Sequence, residues 1–227
     1  MVHYPRILLS GDSAIVIQFG DEIDKTINSN VYALKDFLEL DKTIKILSLI
    51  PSYCSLLIEY DILLHNQKEV IDFVQSKINL LKNKKFDDKK KQIIKIPVVY
   101  GGVFGPDIDY VLEYTKLSLD QLINIHSSIE YYVYMIGFSP GFPYLGGMDK
   151  RLYCPRLETP RINIQKGSVG IAGKQTGIYP SESPGGWRII GRSPIELFNI
   201  NNESPALISS RTYVKFIPIS EKNISKF

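Results

Sequence analysis

Residues 137–147 read Gly-Phe-Ser-Pro-Gly-Phe-Pro-Tyr-Leu-Gly-Gly, and residues 183–188 read Ser-Pro-Gly-Gly-Trp-Arg. Neither stretch suits a helix interior or a central strand. Proline lacks the backbone N–H that a ladder needs, and glycine costs about 0.5–1 kcal/mol relative to alanine. The repeated mixture of glycine, proline and aromatic residues predicts stiff surface loops. Because loops on a rigid scaffold commonly carry binding residues, we expect a binding cleft here.

The composition is that of an ordinary globular protein. The chain has 227 residues, 44% hydrophobic and 22% charged, which allows one large domain or two small ones. A net charge of +3 is too weak to indicate nucleic-acid or membrane binding. Arginine suits bidentate recognition of carboxylates and phosphates, and it is concentrated in the half with the Gly-Pro loops, at Arg151, Arg156, Arg161, Arg188, Arg192 and Arg211.

Cysteine and histidine usage restricts the location and the chemistry. Cys54 and Cys154 are too few and too far apart for a disulfide framework, so we predict two reduced thiols. No apolar run reaches the roughly 20 residues of a membrane span, and residues 1–6 lack the order of a signal peptide. We therefore expect a cytoplasmic protein. The histidines lack ligand spacing, and we expect no metal site in this chain.

Hydrophobic periodicity predicts a small sheet with two helices on one face in the first 80 residues, in the order β-β-α-β-β-α. The first helix covers residues 24–40. The second begins at Asn66, where Glu69 three residues later predicts a capping box. The predicted strands cover residues 6–9, 13–19, 44–50 and 55–60.

A lysine-rich segment over residues 82–91 is interrupted by Asp87 and Asp88. It predicts a solvated linker rather than a nucleic-acid patch, because no aromatic ladder accompanies it. The expected domains therefore cover residues 1–84 and 92–227.

The second domain is predicted to contain two short helices and many short strands. One helix begins near Asp107, whose carboxylate we expect to cap it, and the other begins at Ser118, where Gln121 completes a capping pattern. Short strands separated by glycine and proline are typical of a barrel or sandwich. The predicted strands cover residues 92–100, 130–138, 167–172, 187–191, 206–208 and 213–219.

Several residues of this domain have two interpretations each. His126 is either a helix-end histidine favoured by the helix dipole or a general acid/base. Arg156 and Arg161 each follow a proline, and they either grip an anion or form surface ion pairs. Trp187 is either a core anchor or a stacking platform. Residues 167–175 lack the spacing of a phosphate-binding loop, and we interpret them as a glycine-rich strand.

The motifs also resemble a known family, that of the B subunit of the bacterial ATP-dependent 5-oxoprolinase, also known as the kinase A inhibitor or allophanate hydrolase subunit 1 family. The matching stretches occur in the family's order over most of the chain. They are residues 11–14, 96–102, 104–107, 126–127, 134–138, 140–147, 155–156, 160–161, 167–180 and 183–187.

This resemblance implies a fold of class α+β, with a small α/β-sandwich N-terminal domain followed by a cyclophilin-like β-barrel. It also implies two partners, the C and A subunits of 5-oxoprolinase, with which the chain opens 5-oxoproline to glutamate while ATP is hydrolysed. ATP is therefore the expected co-substrate, and we expect the chain to be inactive alone.

The reaction needs an anion-binding surface and a proton shuttle. Chemical type and family position together make His126 and Arg161 the expected catalytic residues. The expected substrate- or anion-binding residues are Arg156, Lys174, Gln175, Gly141, Phe142, Pro143, Ser183, Gly185 and Trp187.

Two other functions stay open at this point. Some members of the family resemble an inhibitor of a sporulation-type histidine kinase, which would need an exposed apolar patch. The family's naming also allows a subunit of an allophanate or urea amide hydrolase.

Overall fold

The computed structural model describes residues 3–81 and 91–226, and the chain divides into two compact units, Met1–Lys89 and Lys90–Phe227. The predicted linker over residues 82–91 lies almost wholly outside the described residues. The expected domain limits therefore stay a prediction.

The N-terminal unit is a four-stranded antiparallel sheet with two helices. Its sheet order is β1-β2-β4-β3, and its element order is the predicted β-β-α-β-β-α. The elements are β1 (Arg6–Ser10), β2 (Ala14–Gln18), α1 (Lys25–Leu40), β3 (Ile46–Pro51), β4 (Ser55–Tyr60) and α2 (Gln67–Leu81).

Local capping and hydrophobic periodicity explain both helices. Asp24 caps α1 by accepting a hydrogen bond from the Ile27 N–H at 2.9 Å. Asn66 and Glu69 cap α2 reciprocally, at 3.0 and 3.2 Å, as the sequence predicts. The buried helix stripes pack on one face of the sheet, and this core includes Ile15, Ile17, Val31, Leu34, Leu38, Leu56, Ile58, Val70, Val74 and Ile78.

Within the described residues, the C-terminal unit forms a closed seven-stranded barrel in the order β10-β7-β6-β13-β5-β12-β9, with β9 pairing back to β10. Strand β13 runs parallel to β5, and the other neighbours are antiparallel. The elements are β5 (Ile93–Tyr100), α3 (Ile108–Thr115), α4 (Leu119–Ser128), β6 (Tyr131–Ile136), β7 (Pro143–Gly146), β8 (Arg161–Ile164), β9 (Ser168–Ala172), β10 (Gln175–Ile178), β11 (Ser183–Gly185), β12 (Arg188–Arg192) and β13 (Tyr213–Pro218).

The expected α+β class with a C-terminal barrel is confirmed. Strands β8 and β11 form a separate two-stranded ribbon. The predicted strand over residues 206–208 is wrong, because only Ala206 makes a bridge, to Phe198. Strands β7, β8, β10 and β11 were not predicted, because each is only three or four residues long and β7, β10 and β11 contain glycine or proline.

His126 ties α4 into the barrel through a buried hydrogen-bonded chain. Its side chain is 0% exposed and stacks on Phe216 of β13, with ring centroids 4.5 Å apart. Thr176 Oγ1 donates to the Gly170 carbonyl at 3.0 Å, so it accepts from His126 Nε2–H at 3.0 Å. His126 Nδ1 then accepts from the Tyr100 hydroxyl at 2.7 Å.

The bond from the Tyr100 hydroxyl to Nδ1 requires a neutral imidazole, because a protonated Nδ1 cannot accept. Burial lowers the pKa of His126 from 6.5 to about 3, because a charged ring would be desolvated without a counter-ion. His126 does lie in the last turn of α4, as the helix-end interpretation predicts, but burial favours the neutral ring over the charged form that a helix dipole would stabilise.

This lowered pKa gives the protein a specific pH dependence. Below pH 6.5 the unfolded chain binds the His126 proton and the folded chain does not, so stability falls as the pH drops from 6.5 towards 3. Well above pH 6.5, His126 is neutral in both the folded and the unfolded chain, so it causes no loss of stability there. Between about pH 7.5 and about pH 5, we expect the wild type to lose about 2 kcal/mol more unfolding free energy than His126→Gln.

Urea unfolding of both proteins at the two pH values measures this difference. The two proteins have the same carboxylates, so the contribution of carboxylate titration to the pH dependence cancels when they are compared. Equal pH dependence in the two proteins would show that His126 is not held neutral.

Candidate anion-binding site

The two Gly-Pro loops meet in one aromatic cluster. Phe142 of the first loop and Trp187 of the second lie edge to face, with ring centroids 5.6 Å apart. They are 2% and 6% exposed, so Trp187 is a core anchor of this cluster. Tyr179 lies 5.2 Å and Tyr144 lies 5.0 Å from Phe142, centroid to centroid. The loops therefore form one continuous wall.

Glycines make room for these rings. A Cβ on Gly177 of β10 would stand 2.9 Å from Phe142 Cζ and 3.0 Å from Trp187 Cζ3. A Cβ on Gly185 would stand 2.5 Å from the Tyr179 hydroxyl. A side chain at either position would push the cluster apart, so these glycines allow the close packing of aromatic side chains against the backbone.

Arg161 uses its guanidinium to bind a protein carboxylate. Nη1 and Nη2 donate to the two oxygens of Asp107 at 2.8 and 2.7 Å, which is a bidentate pair. Asp107 is 6% exposed and also accepts the Ile189 N–H at 2.6 Å. Its carboxylate makes no capping bond to α3, so the predicted cap is wrong.

Arg188 lies on the other side of the same carboxylate. Its Nη1 is 4.0 Å from Asp107 Oδ1, and its guanidinium carbon lies 3.5 Å from the centroid of the Tyr110 ring. The Arg188 Nε–H donates to the Pro155 carbonyl at 3.4 Å. Asp107 therefore lies between both arginines, and Arg188 of β12 contacts the segment around Pro155.

Arg156 is placed differently from Arg161, although both follow a proline. Its segment is anchored on both sides: the Gly173 N–H donates to the Cys154 carbonyl at 2.7 Å, and the Leu157 N–H donates to the Gly186 carbonyl at 2.8 Å. Arg156 is exposed, and no ion pair to it occurs within residues 3–81 and 91–226. It is therefore available to an external anion.

Lys174 lies at the turn between β9 and β10, directly after Gly173. It is exposed, and no ion pair to it occurs in the described part of the chain. Because Gly173 bonds to Cys154, Lys174 and Arg156 lie at the same edge of the barrel. Together they make this edge positive.

Two tyrosine hydroxyls belong to the same surface. Burial raises the pKa of Tyr179 to about 12, and the Trp187 backbone N–H and the Arg156 guanidinium oppose that rise. Burial also raises the pKa of Tyr144, and Arg156 again opposes it. The charge of Arg156 therefore acts on both hydroxyls. Both tyrosines stay protonated, and neutral, near pH 7.

The other predicted binding residues frame this wall. Gly141 has a φ of +83° and packs against Phe198, and Pro143 begins β7 and is buried. Gln175 begins β10 and is half-buried. The Ser183 hydroxyl is buried, and it finds no hydrogen-bond partner within the described residues.

The structure thus brings together most of the predicted residues and encloses His126 in the barrel. Arg161 lies opposite Gly185 on the β8–β11 ribbon, with its guanidinium bound to Asp107. Their catalytic roles stay predictions. Asp107, Tyr144 and Tyr179 were missed as site residues, although Pro143-Tyr144 and Tyr179-Pro180 both lie inside the quoted motifs.

No group of three or more His, Cys, Asp or Glu side chains in the described ranges is arranged to hold a metal ion. Among the helices of those ranges, none has the length and hydropathy to cross a membrane.

The chain belongs to the family described as the carboxyltransferase domain, subdomains C and D, whose family model matches residues 5–208. It is 41% identical to the B subunit of the 5-oxoprolinase of Bacillus subtilis, over 94% of this chain and 92% of that protein. It is 34% identical to the B subunit of the 5-oxoprolinase of Escherichia coli O157:H7, over 95% and 97%. The predicted family resemblance is confirmed.

A solved structure supports the fold. The crystal structure of the urea amidolyase of K. lactis superposes with a TM-score of 0.80 over 97% of this chain and 15% of that one, at 22% identity. At this identity the likeness concerns the fold alone.

The two arginines that follow a proline, Arg156 and Arg161, give a matched test of stability. Arg161→Ala leaves the Asp107 carboxylate buried without its partner, so we expect a loss of at least about 2 kcal/mol of unfolding free energy; the arginine is one-third exposed, which keeps the loss below that of a fully buried pair. Arg156→Ala is expected to change stability by less than about 0.5 kcal/mol. Urea unfolding followed by Trp187 fluorescence measures both, and equal losses would contradict the distinction.

The glycine beneath the aromatic cluster gives a second test. Gly177→Ala inserts a methyl group against Phe142 and Trp187, and we expect a loss of about 1–3 kcal/mol. Gly186→Ala is the matched control, because its Cβ would meet its nearest atoms at an ordinary 3.7 Å. Thermal unfolding compares the two variants. A Gly177→Ala protein as stable as the control would show that the aromatic cluster accommodates an extra methyl group without strain.

Proposed function

We propose that this chain is one component of a 5-oxoprolinase complex. The support comes from relatives named as the B subunit of 5-oxoprolinase that align over nearly the whole of both chains. The structural observation that carries the proposal is the meeting of both Gly-Pro loops on one aromatic wall, with the exposed Arg156 and Lys174 at its edge. A wall of this kind suits a small, flat, anionic substrate.

The proposed reaction opens the lactam ring of 5-oxoproline to glutamate. A lactam is a poor electrophile, so transfer of the γ-phosphoryl group of ATP to the amide oxygen would create a leaving group. ADP leaves at this transfer. Water then adds to the ring carbon and the C–N bond breaks with protonation of the nitrogen, which gives γ-glutamyl phosphate, and a second water hydrolyses this acyl phosphate to glutamate and phosphate. Charge stabilisation is the main demand of such steps, and Arg156 and Lys174 provide positive charge at the open edge.

The buried His126 and the partly exposed Arg161 act differently in this proposal. His126 holds α4 to the barrel, and Arg161 neutralises Asp107, so both shape the site through protein contacts. A direct catalytic role for either would require substrate to reach the barrel interior or to displace Asp107 from Arg161.

The partners in this proposal are the C and A subunits of 5-oxoprolinase, and the chain works in the cytoplasm as part of their complex. The C component completes the cleft at the exposed edge, ATP binds within the complex, and the isolated chain is inactive.

Reconstitution tests this proposal. The chain is co-purified with candidate C and A components, and glutamate release from 5-oxoproline is measured with and without ATP. We expect release only when all three proteins and ATP are present. Glutamate release by the other two proteins without this chain, or none from the complete mixture, would overturn the proposal.

The similarity to urea amidolyases favours one second candidate. The urea amidolyase of Saccharomyces cerevisiae is 25% identical over 96% of this chain, which spans 13% of that protein. Ammonia release from urea or allophanate by the same reconstituted mixture would support an amide hydrolase of that kind. The inhibition of a histidine kinase stays a prediction, and autophosphorylation of a purified kinase in the presence of this chain tests it.

A further inference from the structure

Helix α3 presents two tyrosine rings at the surface of the C-terminal unit. The helix buries Ile108 and Val111, and Tyr110 and Tyr114 share another of its faces, because residues four apart lie one above the other. Their rings are nearly parallel, with an interplanar angle of 14° and centroids 6.2 Å apart. They are 40% and 54% exposed. The two rings therefore form an exposed, flat surface, which we call the tyrosine platform.

Arg188 holds one end of this platform in place. Its guanidinium carbon lies 3.5 Å from the centroid of the Tyr110 ring, and its Nε–H donates to the Pro155 carbonyl at 3.4 Å. Because a guanidinium stacks flat on an aromatic face, it covers one face of Tyr110. A second flat group that stacks on the platform must use an uncovered face.

An open depression lies against the platform. It has a volume of about 310 Å³ and is lined by Tyr110, Glu113, Tyr114 and Lys116, which places it at the small end of the size range of ligand sites. Glu113 and Lys116 are exposed, and neither has an ion-pair partner within the described ranges. The depression thus combines aromatic faces with one carboxylate and one ammonium group.

These two charged groups match one edge of adenine. A carboxylate can only accept hydrogen bonds, and an ammonium group can only donate them. Adenine has an exocyclic amine that donates and, beside it, the N7 atom that accepts, whereas guanine has two acceptors, O6 and N7, on the corresponding edge. Glu113 and Lys116 therefore suit the adenine edge, and the Glu113 carboxylate would repel the O6 atom of guanine.

The neighbourhood of the platform indicates a ligand with an anionic tail. The Arg188 side chain contacts both the Tyr110 ring and the carbonyl of Pro155, and Pro155 directly precedes the exposed Arg156. A nucleoside triphosphate whose base stacks on the tyrosines can extend its phosphates past Arg188 towards Arg156. A guanidinium pairs well with phosphate oxygens.

We propose that the tyrosine platform binds the adenine base of ATP, with Glu113 and Lys116 hydrogen-bonded to its edge and Arg156 paired with the phosphates. The choice of ATP rests on the proposed function, which it deepens by placing the nucleotide site on this chain rather than on a partner. The phosphoryl group to be transferred then lies at the positive edge of the barrel.

Equilibrium dialysis of the purified full chain against ATP and against adenosine tests the stacking. Tyr114→Ala should weaken the binding of both ligands about 10- to 100-fold, because stacking of a base on an aromatic ring has this strength. Tyr114→Phe keeps the ring and should bind both ligands as the wild type does. The control is Ile162→Ala, which removes another exposed apolar side chain, on β8. Urea unfolding checks that every variant is folded.

The preference for ATP over GTP tests the contacts to the base edge. The wild type should bind ATP at least about 10-fold more tightly than GTP, because the guanine O6 atom meets the Glu113 carboxylate. Glu113→Gln supplies an amide that also donates, so it should reduce this preference. Glu203→Gln, a change at another exposed glutamate, should leave the preference intact.

The phosphate contact is tested by comparing ATP with adenosine. Arg156→Gln should weaken ATP binding about 10-fold, since hydrogen bonds to charged groups have this strength, and should leave adenosine binding unchanged. Tripolyphosphate alone should bind more weakly than ATP. Tripolyphosphate that binds as tightly as ATP would show a purely ionic contact and would contradict the base site.

The outcomes separate this inference from the proposed function. In an active reconstituted complex, Tyr114→Ala should raise KM for ATP and leave KM for 5-oxoproline unchanged, and an unchanged KM for ATP overturns the site while the function stands. An inactive complex whose chain binds ATP in the pattern above supports the site and overturns the function. A purified chain that binds no ATP at millimolar concentration, or binds it equally after Tyr114→Ala, overturns the site.

Discussion

The buried carboxylate of Asp107 is the contact on which the C-terminal unit depends most. It joins three parts of the chain: the start of α3, the backbone of β12 at Ile189, and the first residue of β8 through Arg161. Desolvating a charge is expensive, and the pair with Arg161 and the Ile189 N–H offset that cost. Without it, the β8–β11 ribbon would lose the ion pair that joins Arg161 to the start of α3 and to β12.

The N-terminal unit could be predicted from the sequence almost completely. Its helices have clear apolar stripes and recognisable caps, and four of its strands form two hairpins, β1-β2 and β3-β4, that join through β2 and β4. In the C-terminal unit the sequence predicted a barrel or sandwich but missed β7, β8, β10 and β11. These strands are only three or four residues long, and their pairing depends on contacts in the folded unit that propensity does not contain.

The candidate site was predicted in part. The Gly-Pro-aromatic motifs identified both loops, because such residues are poor in regular structure. The sequence could not separate Arg156 from Arg161, since both follow a proline and only the distant Asp107 distinguishes them. It also could not show that His126 is enclosed, because its neighbours Tyr100, Thr176 and Phe216 come from three different strands. These distinctions depend on contacts between residues far apart in sequence.

The parallel pairing of β13 with β5 has a consequence for how the protein forms. In the barrel order, β13 lies between β5 and β6, so the strand made last occupies the position between two strands made long before it. Until residues 213–218 leave the ribosome, both neighbours keep an unpaired edge, which is a surface prone to aggregation. In the N-terminal sheet β4 likewise lies between β2 and β3, but only residues 52–54 separate it from β3, whereas residues 101–212 separate β13 from β5. Biosynthesis therefore leaves the edges of the barrel unpaired for longer, and a chaperone that covers them would act late in translation.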